Sequence, residues 1–243
     1  SKSLLYGLRD YNPIAGAICH LTNHSDGFHR ELYGILYGGL IITNQHLFEH
    51  NNGTLHIKSR HGEFVCKNTT QLEMLPIAKY DMLIIKTPKD FPVSPMKLRF
   101  RPPKQGERIC MVGTNFQQKS CSSVVSETSA IYPRENSTFW SHWISTKDGQ
   151  CGFPMVSTAD GWIVGIHSLT SVRDEKNYFV AIPENFEKEF LNTEANQQWV
   201  KQWKYNPDLL SWGSLWIRKS QPGCIFNPTK LIMDLQDHEV AMQ

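Results

Sequence analysis

Short runs of β-branched and aromatic residues, separated by regular turn signals, fill the chain from about residue 15 to residue 180. Residues 17–21, 40–43 and 82–85 are runs of this kind, and dipeptides such as Asp160-Gly161 separate them. Many short strands at close spacing are typical of an all-β sandwich or barrel. Helix-like spacing is scarce before residue 184. It then covers 184–191, 193–203 and 229–235, which predicts a few short helices near the carboxyl end.

Composition narrows the class of protein further. The 243 residues suffice for two small barrels that share a cleft, or for one large domain. A net charge of +2 is too small to indicate nucleic acid or membrane as a partner by itself. No apolar run approaches the ~18 residues of a membrane span, and residues 1–5 lack the features of a signal peptide. The six cysteines are scattered without a Cys-x-x-Cys pair, so we expect free thiols in a reducing compartment and no zinc finger.

The segment 147–154, Lys-Asp-Gly-Gln-Cys-Gly-Phe-Pro, carries the sharpest chemical signal. Glycines on both sides of Cys151 permit a tight turn and the close approach of a substrate backbone. Backbone N–H groups of Gly149, Gln150 and Cys151 can then converge on a developing oxyanion. The alternative is an ordinary β-turn with a buried structural cysteine. We interpret Cys151 as a nucleophile, and a thiol in that role needs a base beside it.

His46 and Asp81 are the best candidates for the base and for the group that orients it. His46 follows the apolar run 41–43, at a predicted strand end, whereas most other histidines lie in polar, turn-like contexts. Asp81 opens the apolar run 82–85 and can be carried into the interior beside an imidazole. Asp90, in a proline-containing loop, is the alternative. Alone, Asp81 also fits a turn residue at a strand edge.

The chain order His46, Asp81, Cys151 is the order of base, acid and nucleophile in chymotrypsin. In that architecture the histidine and aspartate come from one barrel and the nucleophile from the next. We therefore predict a chymotrypsin-like double antiparallel β-barrel with short helices and a C-terminal extension. Its parts are an N-terminal barrel over 1–115, a second barrel over 116–205, and a segment over 206–243 that lines the cleft.

At these residues the chain resembles the nuclear inclusion a proteases of potyviruses, and the resemblance covers its whole length. Matching segments include 7–14, 42–48, 88–92 and 146–152. The resemblance implies a cysteine endopeptidase that processes a viral polyprotein. It implies cleavage after glutamine and before a small residue, within an extended heptapeptide. The implied mechanism requires neither a metal nor an organic cofactor. Host cytoplasm and nucleus are the implied locations.

The resemblance also assigns substrate-binding positions. Thr146, Asp148 and His167 correspond to the pocket for the glutamine side chain, and Thr170 stands where relatives often have serine. Ser171 and Asp174 replace asparagines that contact the outer substrate positions. The pocket for the residue before the glutamine corresponds to Leu210, Trp212 and Ile217. The pocket for the fourth residue back corresponds to Phe139, Leu169, Val172 and Tyr178.

Two further expectations concern partners. The chain ends in Val240-Ala241-Met242-Gln243, the sequence that cleavage after glutamine would leave, so we expect this peptide followed by a small residue to be cleaved. The alternative is that the boundary is arbitrary. A different class of function, binding of single-stranded RNA with incidental proteolysis, is suggested by the aromatic content and by reports for the family. No basic stripe supports it in the sequence, and membrane is not an expected partner.

Overall fold

The computed structural model describes residues 8–116, 121–172, 176–192, 198–217 and 239–243, and their strands form two sheets. The strand pairs are antiparallel except for one short parallel pair near the carboxyl end. The expectation of an all-β fold with few short helices is confirmed. In the described part of the chain, no helix is long and apolar enough to cross a membrane.

The first sheet contains seven strands from the amino-terminal part of the chain. Its order is β5-β4-β1-β2-β3-β7-β6. A tight Asp26-Gly27 turn joins β1 to β2, and both residues have positive φ (47° and 83°), as the two-residue hairpin turns require. The strands are β1 (Ile18–Ser25), β2 (Phe28–Tyr37), β3 (Leu40–Thr43), β4 (Thr54–Ser59), β5 (Gly62–Cys66), β6 (Met74–Pro76) and β7 (Leu83–Lys86).

The second sheet contains the remaining strands. Along its main path the order is β10-β11-β14-β13-β12-β8-β9, and β16 pairs with both β13 and β15. Its strands are β8 (Arg108–Asn115), β9 (Ser122–Ala130), β10 (Tyr132–Pro133), β11 (Phe139–His142), β12 (Pro154–Ser157), β13 (Ile163–Ser171), β14 (Asn177–Ala181), β15 (Trp216–Ile217) and β16 (Glu239–Met242).

The sheets divide the chain earlier than the predicted boundary at residue 115. Strand β8 pairs with β12 and β9, so residues from 108 onward already belong to the second sheet. Residues 87–107 contain five prolines and no named strand, which suits a connection because proline cannot donate to a sheet ladder. The segment 206–243 begins with a short 3-10 helix and contributes β15 and β16 to the second sheet.

Helices are short in the described residues. They are α1 (Asn12–Ala15), 3-10 helices at Gln45–Phe48, Thr69–Gln71 and Pro207–Leu209, and one π-helical turn at Glu187–Leu191. The last lies within the predicted helix over 184–191. The predicted helix over 193–203 is wrong for 198–203, because Val200 is extended and exchanges backbone hydrogen bonds with Met74. Residues 193–197 and 229–235 lie outside the described part.

Two apolar clusters fill the sheets. Leu21, Leu32, Ile41, Leu55 and Leu83 are all fully buried in the cluster inside the first sheet. Cys151 belongs to this same cluster although it comes from the second half of the chain, so the predicted nucleophile lies where the two halves meet. The five cysteines of the described residues are free thiols.

Candidate active site

His46 and Asp81 meet in the interior of the first half. His46 lies on the 3-10 helix Gln45–Phe48, directly after β3, and Asp81 lies just before β7, the neighbour of β3. Both side chains are fully buried. The Nδ1 atom of His46 is 2.7 Å from Asp81 Oδ2, and the His46 backbone N–H donates to Asp81 Oδ1 at 3.2 Å. This contact fixes the tautomer of the imidazole and leaves Nε2 for chemistry.

The thiol of Cys151 interacts with the His46 ring across the junction of the two halves. Burial lowers the pKa of His46, but the charges of Asp81 and Cys151, together with a side-chain hydrogen bond with each, outweigh burial and raise it to about 10. The Cys151 sulfur also lies 3.1 Å from the Ser168 carbonyl oxygen. The geometry therefore supplies a sulfur nucleophile, an acid–base group and an orienting carboxylate.

Hydrogen bonds to both halves hold the turn that carries Cys151. Tyr33 of β2 donates its N–H to the Cys151 carbonyl at 2.8 Å, and Gly152 donates its N–H to the His167 carbonyl of β13 at 2.9 Å. Gly152 has φ +89°, and a Cβ atom there would lie 1.8 Å from the carbonyl oxygen of Tyr33. Only glycine fits this position, which explains the glycine that follows Cys151.

Two of the three backbone groups predicted for an oxyanion hole are available. Gly149 has φ +88°, and among the described residues neither its N–H nor that of Cys151 donates to a protein acceptor. The N–H of Gln150 donates to the Lys147 carbonyl at 3.2 Å. Gln150 therefore closes the turn instead of facing a substrate, which corrects the prediction for this residue.

Asn44 connects the site to β13, a role that the sequence did not suggest. Its Nδ2 donates to Ser168 Oγ at 2.8 Å, and it also lies 3.3 Å from Asp81 Oδ2 and 3.2 Å from the His167 carbonyl oxygen. Asn44 is fully buried beside His46. It therefore links the orienting carboxylate to strand β13, which carries His167 and Ser168.

Gln243 occupies the pocket predicted for a glutamine side chain. Its Oε1 accepts a hydrogen bond from Thr146 Oγ1 at 2.8 Å and another from His167 Nε2. Its main-chain oxygen lies 3.3 Å from His46 Nε2. Gln243 is 5% exposed. Thr146 and His167 thus meet at one side chain, that of Gln243.

A chain of buried donors sets the tautomer of His167. The Ile144 backbone N–H donates to His142 Nδ1 at 3.1 Å, so the proton of neutral His142 is on Nε2, 3.2 Å from His167 Nδ1. His167 consequently carries its own proton on Nε2, which faces Gln243. Burial lowers the pKa of His142 well below its usual value and that of His167 to about 4, in the latter case against the hydrogen bond that His167 donates to Gln243. Both rings are neutral at pH 7, and His167 donates to an amide oxygen.

Asp148, the third residue predicted for this pocket, contributes no hydrogen bond to Gln243. It lies within the turn Lys147–Gln150, which exposes its side chain. Asp148 instead lines a separate cleft of about 430 Å³ together with His20, Glu31 and Lys147. The pocket for the glutamine side chain is built without it.

Residues 239–242 form strand β16 in the groove beside β13. The register is antiparallel, with Leu169 opposite Met242, Thr170 opposite Ala241 and Ser171 opposite Val240. On its other edge, β16 pairs in parallel with β15, where Ile217 is opposite Val240. A peptide in this groove is thus held as a strand between two strands.

Several apolar positions predicted to contact the outer substrate residues belong to the same hydrophobic cluster as this strand. Val240 is fully buried in the same hydrophobic cluster as Phe139, Leu169 and Tyr178, the predicted pocket for the fourth residue back. Leu210 and Trp212 are also buried there, and the Trp212 ring stacks on Phe139 with 5.0 Å between centroids. Val172 is 37% exposed beyond the end of β13, and Asp174 lies outside the described residues.

Two contacts to β16 come from residues that the sequence did not single out. Arg30 of β2 donates from Nη2 to the main-chain oxygen of Gln243 at 2.9 Å, and Tyr205 donates its hydroxyl to Met242 Sδ at 3.2 Å. Arg30 and Tyr205 lie 213 and 37 residues from their partners in the sequence, so no local pattern predicts these contacts. Within the described residues, no group of three or more histidine, cysteine, aspartate or glutamate side chains is arranged to hold a metal ion.

Comparison with known proteins assigns the family. A sequence model described as Peptidase family C4 matches residues 1–233. The chain is 60% identical over 243 residues to the genome polyprotein of Turnip mosaic virus (strain Japanese), a match that covers all of the chain and 8% of the polyprotein.

Solved structures agree with this assignment. A mutant of the tobacco etch virus protease is 50% identical with a TM-score of 0.87, over 99% of this chain and 100% of that one. The active tobacco etch virus protease complexed with product is 56% identical with a TM-score of 0.81, over 84% and 89% of the two chains. These matches confirm the chymotrypsin-like fold and the resemblance to the potyviral proteases. The chain therefore belongs to peptidase family C4 and is a chymotrypsin-like cysteine endopeptidase.

Proposed function

We propose that this protease cleaves a viral polyprotein after glutamine and before a small residue, and that an extended segment ending in Val-Ala-Met-Gln is one of its substrates. One observation carries the proposal: the side chain of Gln243 is bound by Thr146 and His167 while its main-chain oxygen lies 3.3 Å from His46 Nε2. A related protease, from tobacco etch virus, was solved complexed with product, which supports product binding by this fold.

The first half of the proposed reaction forms a thioester. The substrate lies as a strand along β13, with its glutamine side chain in the pocket. His46 holds the proton of the Cys151 thiol, and the sulfur attacks the carbonyl carbon of the glutamine. The N–H groups of Gly149 and Cys151 stabilise the resulting oxyanion. The His46 imidazolium then gives its proton to the leaving amine as the carbon–nitrogen bond breaks.

The second half releases the acid product. Water enters where the amine has left, and His46 takes one of its protons as the oxygen attacks the thioester carbon. The carbon–sulfur bond breaks and the sulfur leaves as a thiolate beside the imidazolium. Asp81 keeps the imidazole oriented through both halves. Each step uses groups of this chain alone.

Selectivity for glutamine follows from the neutral pocket. Thr146 and His167 both donate to the amide oxygen, and a substrate residue without that oxygen leaves buried donors unpaired. A site built to hydrogen-bond a side chain rejects an analogue that lacks it by as much as ~10⁴-fold. Glutamate carries a charge into a pocket whose histidines are neutral, which also disfavours it.

The experiment is cleavage of peptides that contain Val-Ala-Met-Gln-Ser, followed by mass spectrometry, with the glutamine replaced in turn by asparagine, glutamate and alanine. Cys151→Ala should abolish cleavage. Thr146→Val should lower kcat/KM by about 10-fold, the typical value of one buried hydrogen bond to a substrate. Thr158→Val is the matched control, because its hydroxyl likewise donates one hydrogen bond, to the Arg108 carbonyl oxygen, but lies away from the groove. If alanine replaces glutamine without loss, the proposed specificity is wrong.

Two expectations from the resemblance stay predictions. Binding of single-stranded RNA is checked by measuring the affinity of the Cys151→Ala protein for RNA over a range of salt concentrations. Phosphate contacts would weaken steeply as salt rises. The location in host cytoplasm and nucleus is checked by imaging the protein in infected cells.

A further inference from the structure

We propose that Arg30 is a carboxylate-binding residue that recognises the new acid end of the cleaved product and retards its release. The inference deepens the proposed function and rests on it, because it names what the site does with its own product. Arg30 lies on β2, opposite Asn23 of β1, and its side chain is 14% exposed. It thus comes from the first half of the chain, across the groove from the glutamine pocket.

The Arg30 guanidinium has one N–H donor without an acceptor among the described residues, next to the donor that binds Gln243. Its Nη2 donates to the main-chain oxygen of Gln243 at 2.9 Å. Its Nε is buried and has no acceptor among the described residues. Nε and Nη2 lie on the same edge of a guanidinium, and that edge matches the two oxygens of a carboxylate. A carboxylate satisfies both donors, whereas the carbonyl of an intact peptide bond offers a single oxygen.

A second contact holds Arg30 in this position. Its Nη1 lies 3.4 Å from Glu49 Oε1, and Glu49 follows directly after the helix that carries His46, with its N–H donating to the His46 carbonyl at 3.2 Å. Glu49 is itself only 10% exposed. The same short segment therefore positions both the acid–base group and the arginine.

The bound oxygen lies beside the acid–base group and not at the N–H groups expected to hold the oxyanion. It is 3.3 Å from His46 Nε2, and it accepts no hydrogen bond from the N–H groups of Gly149 or Cys151 within the described part of the chain. The second oxygen of a product carboxylate, which water delivers in the last step, enters beside His46. Arg30 therefore distinguishes product from substrate at the atom that hydrolysis adds.

The test compares two inhibitors of peptide cleavage by the full-length protein: Val-Ala-Met-Gln with a free carboxylate, and the same peptide as its terminal amide. The chain's own terminal strand competes with both peptides equally, so the ratio of the two inhibition constants does not depend on it. We expect the acid to inhibit at least ~10-fold more strongly than the amide in the wild-type protein. Arg30→Gln should weaken inhibition by the acid by about tenfold and inhibition by the amide much less, because the amide loses one hydrogen bond and the acid loses a charged pair. The ratio should therefore fall.

Two variants complete the design. Arg30→Lys keeps the charge but loses the paired donors, and it should retain only part of the ratio. Arg60→Gln, an exposed arginine beside a different cleft, should leave the ratio unchanged. A ratio near one in the wild-type protein, or an undiminished ratio in Arg30→Gln, overturns the proposal. Equal inhibition by Val-Ala-Met-Ala and Val-Ala-Met-Gln acids would instead contradict the glutamine pocket, so the two failures are distinguishable.

Discussion

A Cβ atom on Gly152 would lie 1.8 Å from the carbonyl oxygen of Tyr33, so the turn after the nucleophile is in close contact with the opposite half of the molecule. Alanine at Gly152 must displace one backbone or the other, and with it the hydrogen bond from Tyr33 to Cys151. We expect Gly152→Ala to abolish peptide cleavage and to lower the free energy of unfolding, measured by urea denaturation, by more than about 2 kcal/mol.

Gly149 provides the matched comparison for that stability measurement. Its φ of +88° is nearly the same as that of Gly152, but nothing lies within 4 Å of an added Cβ. Gly149→Ala should therefore cost only the backbone strain, about 1–2 kcal/mol. Equal destabilisation by the two substitutions would show that the contact with Tyr33 is unimportant.

Asp81→Asn should leave the fold intact and lower kcat by as much as ~10⁴-fold, because the amide cannot hold the required tautomer of His46. Since Asp81 raises the pKa of His46, the substitution should also move the alkaline limit of activity to lower pH. A pH–rate profile of both proteins checks the two effects. Asp90→Asn, in an exposed loop, is the control and should change neither.

Stability should fall on acidification because of His167. Its pKa is about 4 in the folded protein and 6.5 ordinarily, so between these values the unfolded chain binds a proton that the folded protein does not. The contribution is lost as pH falls from 6.5 to 4 and amounts to roughly 3 kcal/mol. Urea denaturation at pH 7 and pH 4.5 measures it. His167→Gln should reduce this dependence, with the remainder coming from buried His142, whereas His61→Gln, on an exposed turn, should leave it unchanged.

Tyr205 should contribute to a preference for methionine before the glutamine. Its hydroxyl donates to Met242 Sδ at 3.2 Å. Tyr205→Phe should lower kcat/KM for a Val-Ala-Met-Gln substrate by about twofold to tenfold, and it should not affect a Val-Ala-Leu-Gln substrate. The two substrates and two proteins form a double-mutant cycle. A loss of the same size for both substrates would contradict a specific role for the sulfur.

The sequence predicted the chemistry of the site better than its supporting contacts. His46 follows an apolar strand, Asp81 precedes one, and Cys151 lies in a glycine-containing turn. Such local patterns can be recognised without knowledge of the fold. Asp148 and Gln150 were assigned from a motif, but the direction of a side chain or N–H within a turn depends on the turn's own hydrogen bond.

The contacts that the sequence did not predict join distant segments. Arg30 meets Gln243 across 213 residues, and Asn44 meets Ser168 across 124. The packing of the two halves decides both, since Arg30 and Asn44 come from the half that forms the first sheet, and Ser168 and Gln243 lie on or directly after strands of the second sheet. The boundary between the halves was misplaced for a similar reason, because the partners of β8 come later in the chain.

The double pairing of β16, with β13 on one edge and β15 on the other, restricts what this enzyme can cut. A segment held on both edges must arrive with its own amides and carbonyls uncommitted, so a helix or an internal strand of a folded protein has to unravel first. Scissile sequences inside compact domains are thereby protected from cleavage, whereas the same sequences in flexible linkers between domains can be cleaved. The groove thus selects for local unfolding as well as for side chains.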